Sequence, residues 1–323
     1  MTNMIVSFAP HIRERVTASR IMLDVVIALC PAFIAAVLIF GPRAALVTGV
    51  CVASCVFFEW AYQKMVKRPI TVGDFSAVIT GVLLAFNLPV GIPLWQAIFG
   101  SGVAIILVKQ LFGGIGKNFA NPAITARIVM FMSFPAAMAT WTPIAADAIS
   151  SATDAISSAT DAISGATPLE LIQRGELAAL PRMWDMFIGT RMGSLGETSA
   201  LALLIGGIYL LARRVITWHI PVTFIGTVFV LTAFLGLQPT FQLFAGGLLL
   251  GAIFMATDYP TSPQTSTGRI IFGIGCGVLT VIIRAWGAYP EGVSFAILFM
   301  NVLVPFINKL TITKPLGGIK KKT

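Results

Sequence analysis

Hydrophobic residues fall in ten long runs, at about 21–40, 44–63, 70–88, 94–112, 122–140, 196–212, 218–237, 240–257, 269–286 and 293–310. A helix needs roughly 20 apolar residues to cross a hydrocarbon core, and each run approaches that length. The pattern predicts an all-α integral membrane protein with ten transmembrane helices. Only one long polar stretch interrupts it, from about 141 to 195, between the fifth and sixth runs. The segments expected are a cytoplasmic N-terminal segment (1–20), a first five-helix half (21–140) and an extracytoplasmic loop (141–195). A second five-helix half (196–310) and a cytoplasmic tail (311–323) follow. The first run contains Pro31 and follows Arg13, Arg15 and Arg20, an order that a signal peptide shares. Its length and the runs after it predict a retained helix instead.

Composition supports the membrane reading: 57% of residues are hydrophobic and 11% charged, against about 25% charged in soluble domains. The net charge of +9 is distributed as membrane topology rather than as a nucleic-acid surface. With the N-terminus inside, ten spans leave only Arg43, Arg174, Arg182, Arg191 and Arg284 outside, so 17 of the 22 basic residues lie inside. That is the expected cytoplasmic excess, and Trp60, Trp95, Trp141, Trp218 and Trp286 fall near span ends, where interfacial anchors belong. Both termini are therefore expected inside and the 141–195 loop outside. Five spans on each side of that loop start from opposite faces. This parity predicts a 5+5 inverted-repeat bundle, transporter-type and urea-transporter-like.

Familiar catalytic patterns are missing from the sequence. His11 and His219 stand alone, and there is no HExxH, Ser-His-Asp set or P-loop. Cys30, Cys51, Cys55 and Cys276 lie in apolar runs without CxxC spacing, so they read as small buried residues rather than iron–sulfur ligands. Gly113-Gly-Ile-Gly116 follows a helix rather than a strand and is not a nucleotide loop. Asp24 and Glu59 fall near inner span ends. An ion path is one reading, and snorkelling to the interface is the simpler one. Arg127 and Arg284 are likewise expected at the interface. Three Pro- and Gly-rich breaks, at 88–93, 112–122 and 255–263, mark places where irregular backbone needs protein or a cavity to satisfy it.

The outer loop carries a seven-residue unit three times, Asp147 to Thr153, Asp154 to Thr160 and Asp161 to Thr167. Polar and small residues make it a surface loop, and slipped duplication accounts for the first two copies. In the third copy Ser151 and Ser158 are replaced by Gly165, and Thr167 is followed by Pro168-Leu169. Gly165 permits backbone conformations closed to other residues beside the Thr167 hydroxyl.

Asp161-Ala-Ile-Ser164-Gly165-Ala166-Thr167-Pro-Leu resembles the flavinylation motif of the NqrB/RnfD family, from the Rnf and sodium-pumping quinone-reductase membrane complexes. The resemblance spans most of the chain. Lys109 to Ala123 is similar to the family's turn between spans four and five. Phe254 to Pro263 is similar to its M-x-T-D-x-x-T-S-P element, and Ser7-Phe-Ala-Pro-His-Ile-Arg13 to its N-terminus. The length of the chain favours the RnfD branch.

The resemblance implies a membrane electron-transfer subunit with FMN joined by a phosphodiester to Thr167. Ser164, Gly165 and Ala166 would complete the attachment motif, and Thr153 and Thr160, which lack the glycine, would stay unmodified. It implies a complex that couples ferredoxin:NAD electron transfer to Na+ or H+ translocation in the bacterial cytoplasmic membrane. Partners would be the other Rnf subunits (of A, B, C, E and G type), a flavin transferase for maturation, and lipid, with no nucleic acid. This chain would hold no complete active site. A second, noncovalent flavin, riboflavin or FMN, would lie within the bundle, with Asn121, Pro122, Thr261 and Ser262 in the inner turns as candidate contacts. The alternatives are a solute channel or permease of related fold without covalent flavin, and a scaffold subunit without cofactor.

Overall fold

The computed structural model describes residues 17–141, 167–176, 180–287 and 291–312. Among these residues all regular structure is helical. Four helices are long and apolar enough to cross a membrane: α1 (Ala18–Phe40), α2 (Pro42–Met65), α13 (Ser266–Trp286) and α14 (Val293–Leu310). The remaining apolar runs are built from shorter pieces. These are α3 (Ser76–Phe86), α4 (Leu94–Gly102), α5 (Pro122–Ser133), α6 (Pro135–Ala139), α9 (Ala200–Ala212), α10 (His219–Phe234), α11 (Pro239–Phe244) and α12 (Leu248–Leu250). The segment between the fifth and sixth runs adds two short helices, α7 (Pro168–Arg174) and α8 (Met183–Ile188).

Local sequence explains the joints. Gly41 has φ +77° and ends α1, and Pro42 opens α2 at once. Glycine tolerates that left-handed turn, and proline suits a first helical position because its missing N–H has no intrahelical acceptor. Asn121 caps α5 by accepting from the Ala123 and Ile124 N–H groups, ahead of Pro122. The run at 240–257 breaks at Ala245-Gly246-Gly247, where Gly246 has φ +65°.

Two segments widen into π-helix, Val103–Gln110 after α4 and Gly251–Met255 after α12. Apolar periodicity predicts continuous α-helix there. The wider turn lets two consecutive residues reach one partner. Lys109 Nζ donates to Glu59 Oε2 at 2.8 Å, and Gln110 Nε2 to Glu59 Oε1 at 2.8 Å. Gln63 Nε2 adds a third bond at 3.3 Å, and Lys109 also donates to Ser76 Oγ. Glu59 is 1% exposed and Lys109 2%, so the snorkelling expected for Glu59 is corrected. These hydrogen bonds replace the water that so deep a carboxylate gives up. Asp24 lies in the N-terminal part of α1 and accepts from Tyr209 OH and Arg213.

Helix packing depends on small residues. α1 packs on α9, α2 on α3 and α4, α10 on α11 and α13, α13 on α14, and α5 on α14. A Cβ on Gly206 of α9 would lie 2.1 Å from the Ala28 carbonyl oxygen of α1. Close backbone approach of this kind is how membrane helices gain contact without a hydrophobic drive between them. Gly206→Leu is expected to force α1 and α9 apart, costing at least ~1–3 kcal/mol. Thermal unfolding of the detergent-purified chain measures this, and an unchanged midpoint would refute the contact. One apolar cluster extends from Ala28 on α1 to Ile307 on α14. The outward faces carry Leu38, Phe229, Val230 and Phe234 exposed, as a surface bathed in lipid would.

Candidate functional site

Thr167 precedes α7 as its N-cap, in extended conformation, with Oγ1 accepting from the Glu170 N–H at 3.3 Å. Pro168 at the first helical position and Gly175 in the left-handed region after Arg174 set the ends of α7. Leu169 is 2% exposed and packs with Met186 of α8 and Ala245. Gln173 Nε2 donates to the Arg284 carbonyl oxygen. These contacts hold Thr167 itself at 8% exposure. Ser164, Gly165, Ala166, Thr153 and Thr160 lie outside the described residues.

Thr167 lines a cavity of about 290 Å³ together with Arg127, Phe131, Met138, Trp141, Glu170, Glu291 and Phe295. The Arg127 guanidinium donates to Asn87 Oδ1 at 2.7 Å and pairs with the Glu291 carboxylate. Arg284 donates to the carbonyl and side-chain oxygens of Gln242 and to the Ala245 carbonyl. Arg127 is 6% exposed and Arg284 5%, so the expectation that both sit at the interface is corrected. The bonds just given replace the hydration that an interfacial arginine would keep. Arg127 also groups with Glu291 and Thr167 rather than with the inner-side residues among which its position in sequence had placed it.

A third buried arginine lies close by. Arg191 donates to the carbonyl oxygens of Glu197 and Thr198. Burial pushes its guanidinium down to about 10, opposed by the charge of Glu197, so it stays cationic at neutral pH. Glu197 accepts from the Ser194 N–H through Oε1, and its Oε2 is buried with no hydrogen-bond partner among the described residues. A Cβ on Gly247 would lie 3.2 Å from that Oε2 and 3.5 Å from Arg127. One on Gly246 would lie 3.2 Å from Arg284 and 3.5 Å from Leu169. The glycine break between α11 and α12 is thus where buried charges and the outer-loop helix converge.

The Pro-containing turns around Asn121 and Thr261 meet each other. Asn121, Pro122, Thr261 and Ser262 are all buried. Asn121 Nδ2 donates to the Met255 carbonyl at 3.2 Å. Asn301 of α14, with its amide oriented by its neighbours, donates to the Thr261 carbonyl and accepts the Asn121 N–H. Asn301 was missed by sequence reasoning, although a lone asparagine within an apolar run was the available signal. Asn87 and Glu291 were missed as well. The cavity beside Asn121 and Pro122, walled by Ser76, Lys109 and Asp258, holds about 70 Å³.

Asp258 lies three residues past Met255, the end of the second π segment, and accepts from Thr261 Oγ1 at 3.1 Å. Burial pushes its carboxyl up to about 6, against the opposing bonds from Thr261 and the Tyr259 N–H. Its unfolded value is near 4. The folded state therefore binds more protons between about pH 4 and 6, and stability contributed by this group falls as pH rises through that window. Asp258→Asn is expected to flatten that step in thermal unfolding measured from pH 4.5 to 7. A step of undiminished size would contradict the assignment.

The sequence profile of the NQR2, RnfD, RnfE family matches residues 5–317. The D-type subunit of the Na(+)-translocating ferredoxin:NAD(+) oxidoreductase complex of Acetobacterium woodii is 45% identical over 324 residues, covering 99% of this chain and 97% of the relative. The D-type subunit of the proton-translocating ferredoxin:NAD(+) oxidoreductase complex of Clostridium ljungdahlii is 42% identical, covering 95% of this chain and 94% of the relative. Its counterpart in the ion-translocating oxidoreductase complex of Stutzerimonas stutzeri is 40% identical, covering 92% and 91%. On the match along nearly its whole length, the chain belongs to the NQR2, RnfD, RnfE family.

Proposed function

We propose that this chain is the membrane subunit of an ion-translocating ferredoxin:NAD(+) oxidoreductase and carries FMN covalently on Thr167. The observation that carries the reading is the position of the Thr167 hydroxyl, in the wall of a cavity near the outer loop that is lined by both aromatic and charged side chains. Its volume of about 290 Å³ is close to the ~300 Å³ at which small-molecule sites begin. The lining suits FMN: Phe131, Phe295 and Trp141 offer apolar surface to a ring, and Arg127 offers a cation near a phosphodiester anion. Among the described residues Arg127 is the cation in the cavity wall, facing the Glu170 and Glu291 carboxylates.

Attachment is a phosphoryl transfer. Thr167 Oγ bonds to phosphorus and loses its proton, while the phosphoanhydride bond of an activated FMN donor breaks and releases the donor's other half. A flavin transferase performs it. Bound FMN supplies electron-transfer chemistry that no side chain offers, and the protein supplies position and electrostatics. The other subunits of the complex hold the ferredoxin and NAD sites. The noncovalent flavin belongs at the inner turns on this reading, and the 70 Å³ beside Asn121 and Pro122 means the turns must part to admit a ring.

Ten spans in two inverted halves also belong to the proposal. Helix packing supports this: α1 meets α9, the first helix of each half, and α5 meets α14, the last of each. Within the halves, α2 packs on α3 and α4 as α10 packs on α11 and α13. Ala85-Phe-Asn87-Leu-Pro89 and Ala256-Thr-Asp258-Tyr-Pro260 end the third and eighth runs with a shared A-x-[N/D]-x-P spacing. The membrane would be the bacterial cytoplasmic membrane, with both termini inside and Thr167 outside.

Peptide mass mapping of the chain purified from cells containing the transferase tests the central claim. The peptide spanning 161–169 should carry the mass of FMN less water. Finding that peptide only unmodified would end the proposal.

A further inference from the structure

The cavity beside Thr167 has charges of both signs in its wall, and they are rigidly held. The Arg127 guanidinium is fixed through one terminal nitrogen by Asn87 and through the other by Glu291. Asn87 is 2% exposed and is itself held by a bond to the Leu83 carbonyl. Glu291 and Arg127 both face the cavity, as does Glu170, whose carboxylate is paired with Arg174, and the rest of the lining is largely apolar. In such surroundings water screens little, so a unit charge acts on its neighbour far more strongly than at a surface.

We propose that the Arg127–Glu291 pair positions and electrostatically tunes the ring of the FMN tethered to Thr167, with the ring seated in this cavity. The inference rests on the attachment reading above and deepens it. A ring that takes up electrons gains negative charge relative to its oxidised form, which a nearby cation favours and a nearby carboxylate opposes. Arg127 therefore raises the tendency of the ring to be reduced, and Glu291 moderates it. The two residues act with opposite signs although they touch each other. A purely structural pair would not behave so, because removing either partner would loosen the same contact.

The test is a reductive titration of the full-length flavinylated chain in detergent, with dithionite as electron donor and the ring's visible absorbance as readout. The Thr167→Val chain, titrated in parallel, supplies the background from any noncovalent flavin. Arg127→Gln is expected to move the midpoint to a more negative potential, and Glu291→Gln to a more positive one. Arg127→Lys, which keeps the charge, should stay close to the parent and covers the case in which Arg127→Gln fails to fold. Shifts in the same direction, or none in either variant, overturn the proposal. Mass mapping of the same samples separates this outcome from failure of the attachment reading: FMN on the 161–169 peptide with unmoved midpoints sinks the tuning role alone. Its absence from the parent protein sinks the attachment itself.

Discussion

Thr167→Val should yield a protein that folds, enters the membrane and shows no flavin fluorescence after denaturing gel electrophoresis, whereas the parent band fluoresces under ultraviolet light. The effect is all or none because the substitution removes the only oxygen able to form the ester at that position. Valine keeps the shape of the side chain, so packing against the cavity wall survives. What is lost besides the ester is the N-cap bond to Glu170, about 1 kcal/mol, which is small beside the packing that anchors α7. Expression with the transferase is required in both cases, since without it the parent band is blank too. A fluorescent Thr167→Val band would mean that another hydroxyl accepts flavin, with Thr153 and Thr160 first in line. A blank parent band would instead support the permease or scaffold alternatives.

The second large effect concerns stability. Lys109→Met removes the cation from a carboxylate that is 1% exposed and leaves Glu59 inside the bundle without its ion-pair partner. Breaking one side of a buried pair costs ~3–5 kcal/mol. The double variant Glu59→Gln, Lys109→Met removes both charges and is expected to recover most of that loss, since a neutral glutamine keeps acceptors for Gln63 and Gln110. Thermal unfolding of the purified chains in detergent measures both. Equal destabilisation in the single and double variants would show that the pair's electrostatics contribute nothing.

How much of this was legible beforehand depends on the range of the interaction. Helical runs, the Gly41-Pro42 joint and the Asn121-Pro122 start of α5 are local, and hydrophobic length with punctuation marks them. Thr167 stood out through a motif and a repeat, both one-dimensional signals. The π segments were not legible, because apolar residues on every face, as from Val103 to Val108 and from Gly251 to Met255, show no change of period when the turns widen. Glu59 and Lys109 lie 50 positions apart, and Arg127 and Glu291 lie 164 apart. A single sequence does not say that such residues meet. A polar group in an apolar run looks the same whether it reaches for water or for a distant partner, and for that reason Glu59, Arg127 and Arg284 were all assigned to the interface.

If flavin is attached at Thr167, the seating of that residue imposes an order on the attachment. Its hydroxyl is nearly enclosed once Leu169 is packed and α7 is in place. An enzyme delivering flavin would find no foothold on a finished wall. On the attachment reading, the cofactor must be installed while this stretch is still open, and docking then comes last. On the same reading the cavity closes around a passenger already on board, and a chain that completed its fold first would be left without flavin.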